Sequence, residues 1–206
     1  HAGEAGPMTE KKWYKLFYAI VWPFVMLFYP MKFIGKENIP KGGALVCANH
    51  SSAVDPFFLA FGLGRNRQIR AMAKESLMEM FFVGKILKLI GTFGVRRGAS
   101  DIHAVKYALE ELKKGEYVVL FPEGTRVSAR EEGEPKTGAA MLACRTGVNV
   151  LPVYIPMKKR PFRINRVYIG TPYRMQRADG KRATSKDYET FTTELMDKIY
   201  ELGDGR

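Results

Sequence analysis

A histidine and an aspartate stand five residues apart in the segment NHSSAVDP at 49–56. The segment follows a short apolar run at 44–48 that predicts a strand, and α/β folds place their sites at strand ends. Pro56 is typical of a first helical position, so we expect Asp55 at the helix cap and His50 in the loop before it. A carboxylate bound to one imidazole nitrogen leaves the other nitrogen as a base. Taken alone, the pattern favours a capping aspartate beside an incidental histidine.

A second group of polar side chains, FPEGTR at 121–126, directly follows the apolar run YVVLF at 117–121. Gly124 permits a tight turn or the close approach of a ligand. Arg126 offers a guanidinium fork that matches phosphate oxygens. Glu123 is placed to order the turn or to bind a hydroxyl group. An ordinary surface turn with an ion pair is the alternative interpretation.

Further cations follow two other predicted strands. The segment GTFGVRRG at 91–98 places Arg96 and Arg97 between glycines, and Lys74 comes directly after the run at 69–73. Taken alone, these cations also fit solvated basic loops.

Apolar runs alternate with helical patterns along most of the chain. Strands are predicted at 44–48, 69–73, 92–95, 117–121, 150–155 and 167–170. Helices are predicted at 56–63, 77–90, 101–114 and 138–146. A closing helix is predicted from one apolar face, formed by Tyr188, Phe191, Leu195, Ile199 and Leu202. The polar stretch at 174–185 is expected to be a loop. This alternation predicts an α/β fold, with a mostly parallel sheet flanked by helices.

The segment at 16–31, LFYAIVWPFVMLFYPM, carries no charge and is flanked by lysines at 11, 12, 15 and 32. As one straight helix it would cover about 24 Å, less than the roughly 30 Å of a hydrocarbon core. Pro23 is expected to break or kink it. Its aromatic residues favour the membrane–water boundary, and the lysines suit anionic head groups. We therefore expect two short membrane-docking helices in one leaflet, the alternatives being a true span or packing on the protein's own core.

The formal net charge of the 206 residues is +12, which favours an anionic partner such as nucleic acid, anionic lipid or an acidic carrier. Cys47 and Cys144 lie far apart in the sequence, and there is no Cys/His cluster. The sequence therefore indicates no disulfide framework and no metal site. The absence of a G-x-S-x-G segment argues against a serine hydrolase.

Residues 1–7 are interpreted as a tag remnant, 8–32 as the membrane-associated segment and 33–206 as the α/β domain.

Taken in order, these segments resemble the bacterial 1-acyl-glycerol-3-phosphate acyltransferases of the glycerolipid acyltransferase superfamily. The resemblance covers residues 33–173. It is carried by NHSSAVD at 49–55, GTFGVRRG at 91–98, FPEGTR at 121–126 and VLPVYI at 150–155, with KESL at 74–77 before the second block.

The resemblance implies transfer of a fatty acyl group from an acyl thioester to the sn-2 hydroxyl of lysophosphatidic acid, giving phosphatidic acid. His50 would be the general base and Asp55 its orienting partner. The substrate-binding residues would be Lys74, Arg97, Glu123, Gly124, Thr125 and Arg126, of which the arginines and Lys74 would hold the acceptor phosphate. No cofactor or metal is expected, since the thioester of acyl carrier protein or coenzyme A is already activated.

The expected partners are lysophosphatidic acid, the acyl thioester and an anionic membrane surface, with no nucleic acid. We expect a monotopic or peripheral protein on the cytoplasmic face of the cell membrane. Glycerol-3-phosphate or another lysophospholipid is an alternative acceptor. A non-catalytic basic module that binds membranes or nucleic acid is the alternative of another class, but it would not explain why His50, Asp55, Glu123 and Arg126 all follow strands.

Overall fold

Seven strands form one sheet within the part of the chain that the computed structural model describes, residues 10–81, 91–95 and 102–204. The strands are β1 (Met31–Ile34), β2 (Ala44–Ala48), β3 (Ile69–Lys74), β4 (Phe93–Val95), β5 (Tyr117–Leu120), β6 (Val150–Tyr154) and β7 (Asn165–Ile169). Their order across the sheet is β1-β7-β6-β2-β5-β3-β4. All neighbouring pairs are parallel except β6 and β7, so the prediction of a mostly parallel sheet is confirmed.

Helices cover both faces of this sheet. Those within the described ranges are α1 (Glu10–Phe28), α2 (Asp55–Leu63), α3 (Glu75–Met78), α4 (Ile102–Lys113), α5 (Gly138–Thr146) and α6 (Ser185–Glu201), with 3₁₀ turns at Lys36–Asn38 and Arg130–Glu132. Helices α1 and α2 pack on one face, and α4, α5 and α6 pack on the other. Successive residues of a strand point to opposite faces, so Val46 of β2 joins the first core cluster and Cys47 joins the second.

The central strand β2 fixes where the polar loops meet. All five of its residues are buried, as expected for an apolar strand covered on both faces. In the register of the sheet, Cys47 lies beside both Leu120 of β5 and Pro152 of β6. The three parallel strands therefore end at the same edge, which brings the segments at 49–54, 121–127 and 155–159 together.

The N-terminal segment forms one helix, and the prediction of two short helices was wrong. Pro23 lies inside α1 without ending it. Tertiary packing outweighs the backbone hydrogen bond that proline removes, because one side of the helix contacts the core cluster. The residues on this inner side are Tyr14, Tyr18, Val21, Val25 and Met26. One alternative from the sequence was that this segment packs on the protein's own core. That alternative holds for one face of the helix.

The outer face of α1 carries large apolar side chains that are exposed. They are Trp13, Leu16, Ile20, Trp22, Phe24, Leu27 and Phe28. No helix in the described ranges meets the length and hydropathy needed to cross a membrane. At the N-terminal end of the helix, Lys11 forms an ion pair with Glu116 at 2.9 Å, so this lysine also contacts the protein itself.

The remaining differences from the sequence-based elements are small. Strand β1 was not predicted; it is four residues long, lies at the edge of the sheet and directly follows the apolar segment. The antiparallel direction of β7 was not predicted either. Most of the predicted helix at 77–90 lies outside the described residues. The loop expected at 174–185 is confirmed up to Thr184, the residue that caps α6.

Candidate active site

His50 and Asp55 are in direct contact at the end of β2. His50 Nδ1 lies 2.9 Å from Asp55 Oδ2, and the carboxylate is fully buried, while the imidazole side chain is 13% exposed. Five residues apart on a regular helix they would face different directions, but the loop at 51–54 curls back and closes the distance. The contact predicted from their spacing is present.

The carboxylate of Asp55 is held by several donors. The backbone N–H groups of Ser51 and Ser52 donate to Oδ2 at 2.7 and 2.8 Å. Burial alone would raise the pKa of the Asp55 carboxyl, but the bond from His50 and the charge of Lys159 hold that pKa below its ordinary value. Asp55 is the first residue of α2 and Val54 is the N-cap, so the expectation that Asp55 occupies the cap was wrong by one residue.

Lys159 completes this buried cluster from the loop after β6. Its ammonium forms an ion pair with Asp55 Oδ1 and donates a hydrogen bond to Ser51 Oγ. Only 6% of its side chain is exposed. Burial lowers the pKa of the Lys159 ammonium, while the charge of Asp55 acts in the opposite direction. The aspartate is thus bound by a lysine on one oxygen and by the histidine on the other.

Glu123 fixes the backbone of the histidine. Its Oε2 accepts the His50 backbone N–H at 2.6 Å, and its Oε1 accepts the Tyr200 hydroxyl at 2.6 Å. Burial raises the pKa of the Glu123 carboxyl, although both hydrogen bonds oppose that effect. The adjoining turn also binds the histidine loop, because Val127 donates its N–H to the His50 carbonyl at 2.9 Å.

Two more contacts orient the imidazole and its loop. The His50 ring stacks on Phe121, with ring centroids 4.1 Å apart. Asn49, fully buried, bridges β2 to β6, since its amide donates to the Ile155 carbonyl and accepts the Ile155 N–H, both at 2.8 Å. The position of His50 is therefore set by backbone, ring and side-chain contacts together.

The other predicted site residues are placed less completely. Gly124, with φ of 67°, makes the tight turn expected of it, and Thr125 and Arg126 are exposed on the same loop. Lys74 is the last residue of β3, at the edge where β2 and β5 also end. Arg97 and Arg96 lie outside the described residues.

This arrangement suits a general base. His50 donates its Nδ1–H in a hydrogen bond to the ionised Asp55, which leaves Nε2 with a free lone pair. The two serine N–H groups and Lys159 keep the carboxylate ionised and fixed in place. A hydroxyl group at Nε2 would lose its proton as it attacks an electrophile, as in other histidine–carboxylate sites.

Sequence reasoning missed Lys159 and Tyr200. Lys159 belongs to the basic run Lys158-Lys159-Arg160, which begins four residues after the end of β6. The argument that strand ends carry sites, applied to β6 as it was to β2 and β5, would have pointed to it. Nothing in the local sequence distinguishes Tyr200, which is one of several apolar or aromatic residues on the inner face of α6.

A family model described as Acyltransferase matches residues 30–156. The chain is 33% identical over 129 residues to a protein of Mycoplasma pneumoniae named as a probable 1-acyl-sn-glycerol-3-phosphate acyltransferase, covering 59% of this chain and 47% of the relative. It is 37% identical over 114 residues to the 1-acyl-sn-glycerol-3-phosphate acyltransferase of Bacillus subtilis, covering 55% and 56%. The chain thus spans about half the length of the curated relatives it matches.

A solved structure is similar along most of the chain. It is the 1-acyl-sn-glycerophosphate acyltransferase PlsC from Thermotoga maritima, with a TM-score of 0.63 and 25% identity, covering 95% of this chain and 81% of that one. The match agrees with the α/β sheet described above. The family model includes both the histidine loop at 49–54 and the glutamate turn at 121–126, and the protein therefore belongs to the acyltransferase family.

Proposed function

We propose that this protein transfers a fatty acyl group from an acyl thioester to the sn-2 hydroxyl of lysophosphatidic acid, giving phosphatidic acid. The observation that carries this proposal is the 2.9 Å contact of His50 with a buried Asp55, beside the loop that bears Arg126. The names of the relatives from Mycoplasma and Bacillus support the same acceptor.

The reaction requires a base and no covalent enzyme intermediate. His50 Nε2 takes the proton of the acceptor hydroxyl as its oxygen attacks the thioester carbonyl. The tetrahedral intermediate then collapses to the new ester and expels the thiolate, which receives the proton from His50. Because the thioester is already activated, the proposal includes no cofactor, and either acyl carrier protein or coenzyme A serves as the thiol.

The acceptor phosphate would lie over the polar edge of the sheet. Arg126 is exposed on the loop next to Glu123, and Lys74 ends a neighbouring strand. A guanidinium binds two phosphate oxygens at once, which would orient the acceptor hydroxyl towards His50. Arg97 is assigned to the same phosphate by its position in the second sequence block.

The exposed outer face of α1 supports peripheral docking on a membrane. A helix face with several aromatic and aliphatic side chains in water is unfavourable, and it is typical of helices that lie at the head-group boundary. Docking in one leaflet would let the acyl chains of both substrates stay in the bilayer, which avoids about 0.8 kcal/mol per CH₂ brought into water. The assignment of this docking to the cytoplasmic face of the cell membrane stays a prediction.

An acceptor panel tests the proposed reaction. Purified protein in vesicles is given one acyl thioester with lysophosphatidic acid, glycerol-3-phosphate or a zwitterionic lysophospholipid, and mass spectrometry reports the products. We expect phosphatidic acid as the main product, formed about 100-fold or more slowly by folded His50→Ala protein. Preferential acylation of another acceptor would overturn the assignment, and inactivity on all three would favour a non-catalytic membrane-binding module.

Substitutions test docking better than truncation does. Deleting residues 8–31 would uncover the core that α1 covers and would remove the first residue of β1. Changing Phe24 and Leu27 to Ser alters only exposed side chains. We expect this variant to float poorly with vesicles, whereas Ile102→Ser, an equally exposed position on the opposite face of the sheet, keeps full binding. Equal flotation of both variants would contradict docking through α1.

A further inference from the structure

The loop between β6 and β7, residues 155–164, connects the candidate active site to helix α1. Near its start Lys159 pairs with Asp55. Near its end Phe162 contacts Phe28, in the last turn of α1, with ring centroids 5.6 Å apart. Only three positions of the chain separate the residue that binds the aspartate from the residue that contacts α1.

Hydrogen bonds hold this loop in one shape against the end of α1. The Phe162 N–H donates to the Phe28 carbonyl at 2.7 Å. Asn165, buried at the start of β7, donates through its side-chain amide to the carbonyls of Arg160 and Arg163, at 3.0 and 2.8 Å, and accepts the Arg160 N–H at 2.9 Å. The loop is therefore anchored at its base, and its tip is presented outward.

The tip carries two apolar side chains that are largely exposed. Phe162 is 68% exposed and Ile164 is 58% exposed. Phe162 also has a φ of 57°, the single positive φ at a non-glycine position within the described residues. This backbone region is unfavourable for a bulky side chain. Because the strained residue contributes little to the core, the observed strain points to a function for its exposed ring.

Positive charge surrounds the two apolar side chains. Lys158, Arg160 and Arg163 are exposed, and the sequence contains no acidic residue from 158 to 166. Aromatic and aliphatic tips among arginines and lysines are suited to an anionic lipid surface, where the rings enter the head-group layer and the cations meet phosphates. A protein partner with a basic surface would be repelled by this loop.

We propose that the β6–β7 loop is a second membrane-inserting element of this protein. Phe162 and Ile164 extend the apolar face of α1 past Phe28, and the occupant of the combined surface is an anionic bilayer. The inference rests on the proposed acyl transfer at a membrane. Its consequence for that reaction is positional, because the inserted loop holds the Lys159–Asp55–His50 cluster near the depth of the acceptor hydroxyl.

Vesicle binding without any substrate tests the loop independently of catalysis. The double variant Phe162→Ser/Ile164→Ser is compared with Ile102→Ser by flotation with vesicles of phosphatidylglycerol and phosphatidylcholine. We expect affinity to fall by about tenfold for the loop variant and to stay unchanged for Ile102→Ser. Wild-type binding by the loop variant, or an equal loss in the control, would overturn the proposal. Normal vesicle binding by a wild-type protein that transfers no acyl group would instead count against the proposed function and leave the loop proposal standing.

A label at the tip tests insertion even where the serine variant folds poorly. Phe162→Cys and Ile102→Cys are each made with Cys144→Ser, since Cys47 is buried, and are coupled to a polarity-sensitive fluorophore. We expect a blue shift and quenching by spin-labelled lipid at position 162 only. The same spectra at both positions would refute insertion. Arg163→Gln should weaken binding to anionic vesicles at low salt, and an equal loss on zwitterionic vesicles would refute the electrostatic contribution.

Discussion

Lys159 forms a buried ion pair with Asp55 through the carboxylate oxygen that the histidine does not use. This ion pair changes the electrostatic effect of Asp55 on the His50 imidazole. An isolated buried carboxylate would strongly stabilise the protonated imidazole, and a protonated imidazole cannot act as a base. With Lys159 in contact, Asp55 still fixes the ring through Nδ1, while part of its negative charge is neutralised. Lys159 is therefore a positioning residue that also adjusts the base.

We expect Lys159→Met to change the pH dependence of kcat/KM as well as its magnitude, because Asp55 then carries an uncompensated negative charge beside the base. The measurement is a pH–rate profile between pH 5 and 9 beside Lys113→Met, an exposed lysine in α4. A uniform loss of rate at every pH would indicate a purely structural role for Lys159.

The stability of the same variant separates charge from packing. Removing Lys159 leaves a buried carboxylate without its cation and should cost about 3–5 kcal/mol of unfolding free energy. Adding Asp55→Asn should recover part of that stability but none of the activity. A double variant less stable than Lys159→Met would contradict the ion-pair interpretation, as measured by denaturant unfolding.

The sequence predicts the parts of this site that follow from short-range patterns. Apolar runs at 44–48 and 117–121 predict β2 and β5 to within one residue, and the polar segments after them therefore fall at one edge of the sheet. The turn at Gly124 and the contact of His50 with Asp55 also depend on spacings of a few residues. Such features need only local geometry and a parallel sheet.

Long-range contacts could not be predicted in the same way. Tyr200 reaches Glu123 across 77 residues, and only the packing of α6 brings them together. The single helix α1 was missed because Pro23 predicts a break, and only the packing of its inner side on the core keeps the helix continuous. Both of its faces are apolar, so the sequence also did not show which side would be buried.

His50→Ala should lower kcat by about 100-fold or more, because the acceptor hydroxyl loses its base. The protein should remain folded, since the side chain is partly exposed and its backbone bonds to Glu123 and Val127 persist. His103→Ala, an exposed histidine in α4, is the matched control. Circular dichroism reports whether the variant is folded, and acyl-transfer rates report its activity. Near-normal turnover in folded His50→Ala protein would show that His50 is not the base.

Arg126→Ala should raise the KM for lysophosphatidic acid by about tenfold and leave the KM for the acyl thioester nearly unchanged. The physical reason is that its guanidinium would contact only the acceptor phosphate. Arg145→Ala is the control, because Arg145 is also exposed but lies before β6, at the opposite edge of the sheet. Equal losses for both substrates would point instead to donor binding or to folding.

Tyr200→Phe tests whether Glu123 holds the histidine loop as an ionised group. The variant removes the 2.6 Å hydrogen bond to Glu123 Oε1, which opposes the effect of burial on this carboxyl, so the pKa of Glu123 should rise further. A carboxyl whose pKa is raised in the folded state favours folding below its unfolded pKa, and this contribution is lost as the pH rises through the folded value. The difference in stability between wild type and Tyr200→Phe should therefore be small near pH 4 and grow towards pH 8, to about 1–2 kcal/mol. Denaturant unfolding at the two pH values measures it. Because Tyr200 also packs in the core, a difference that does not change with pH would mean that only packing was lost.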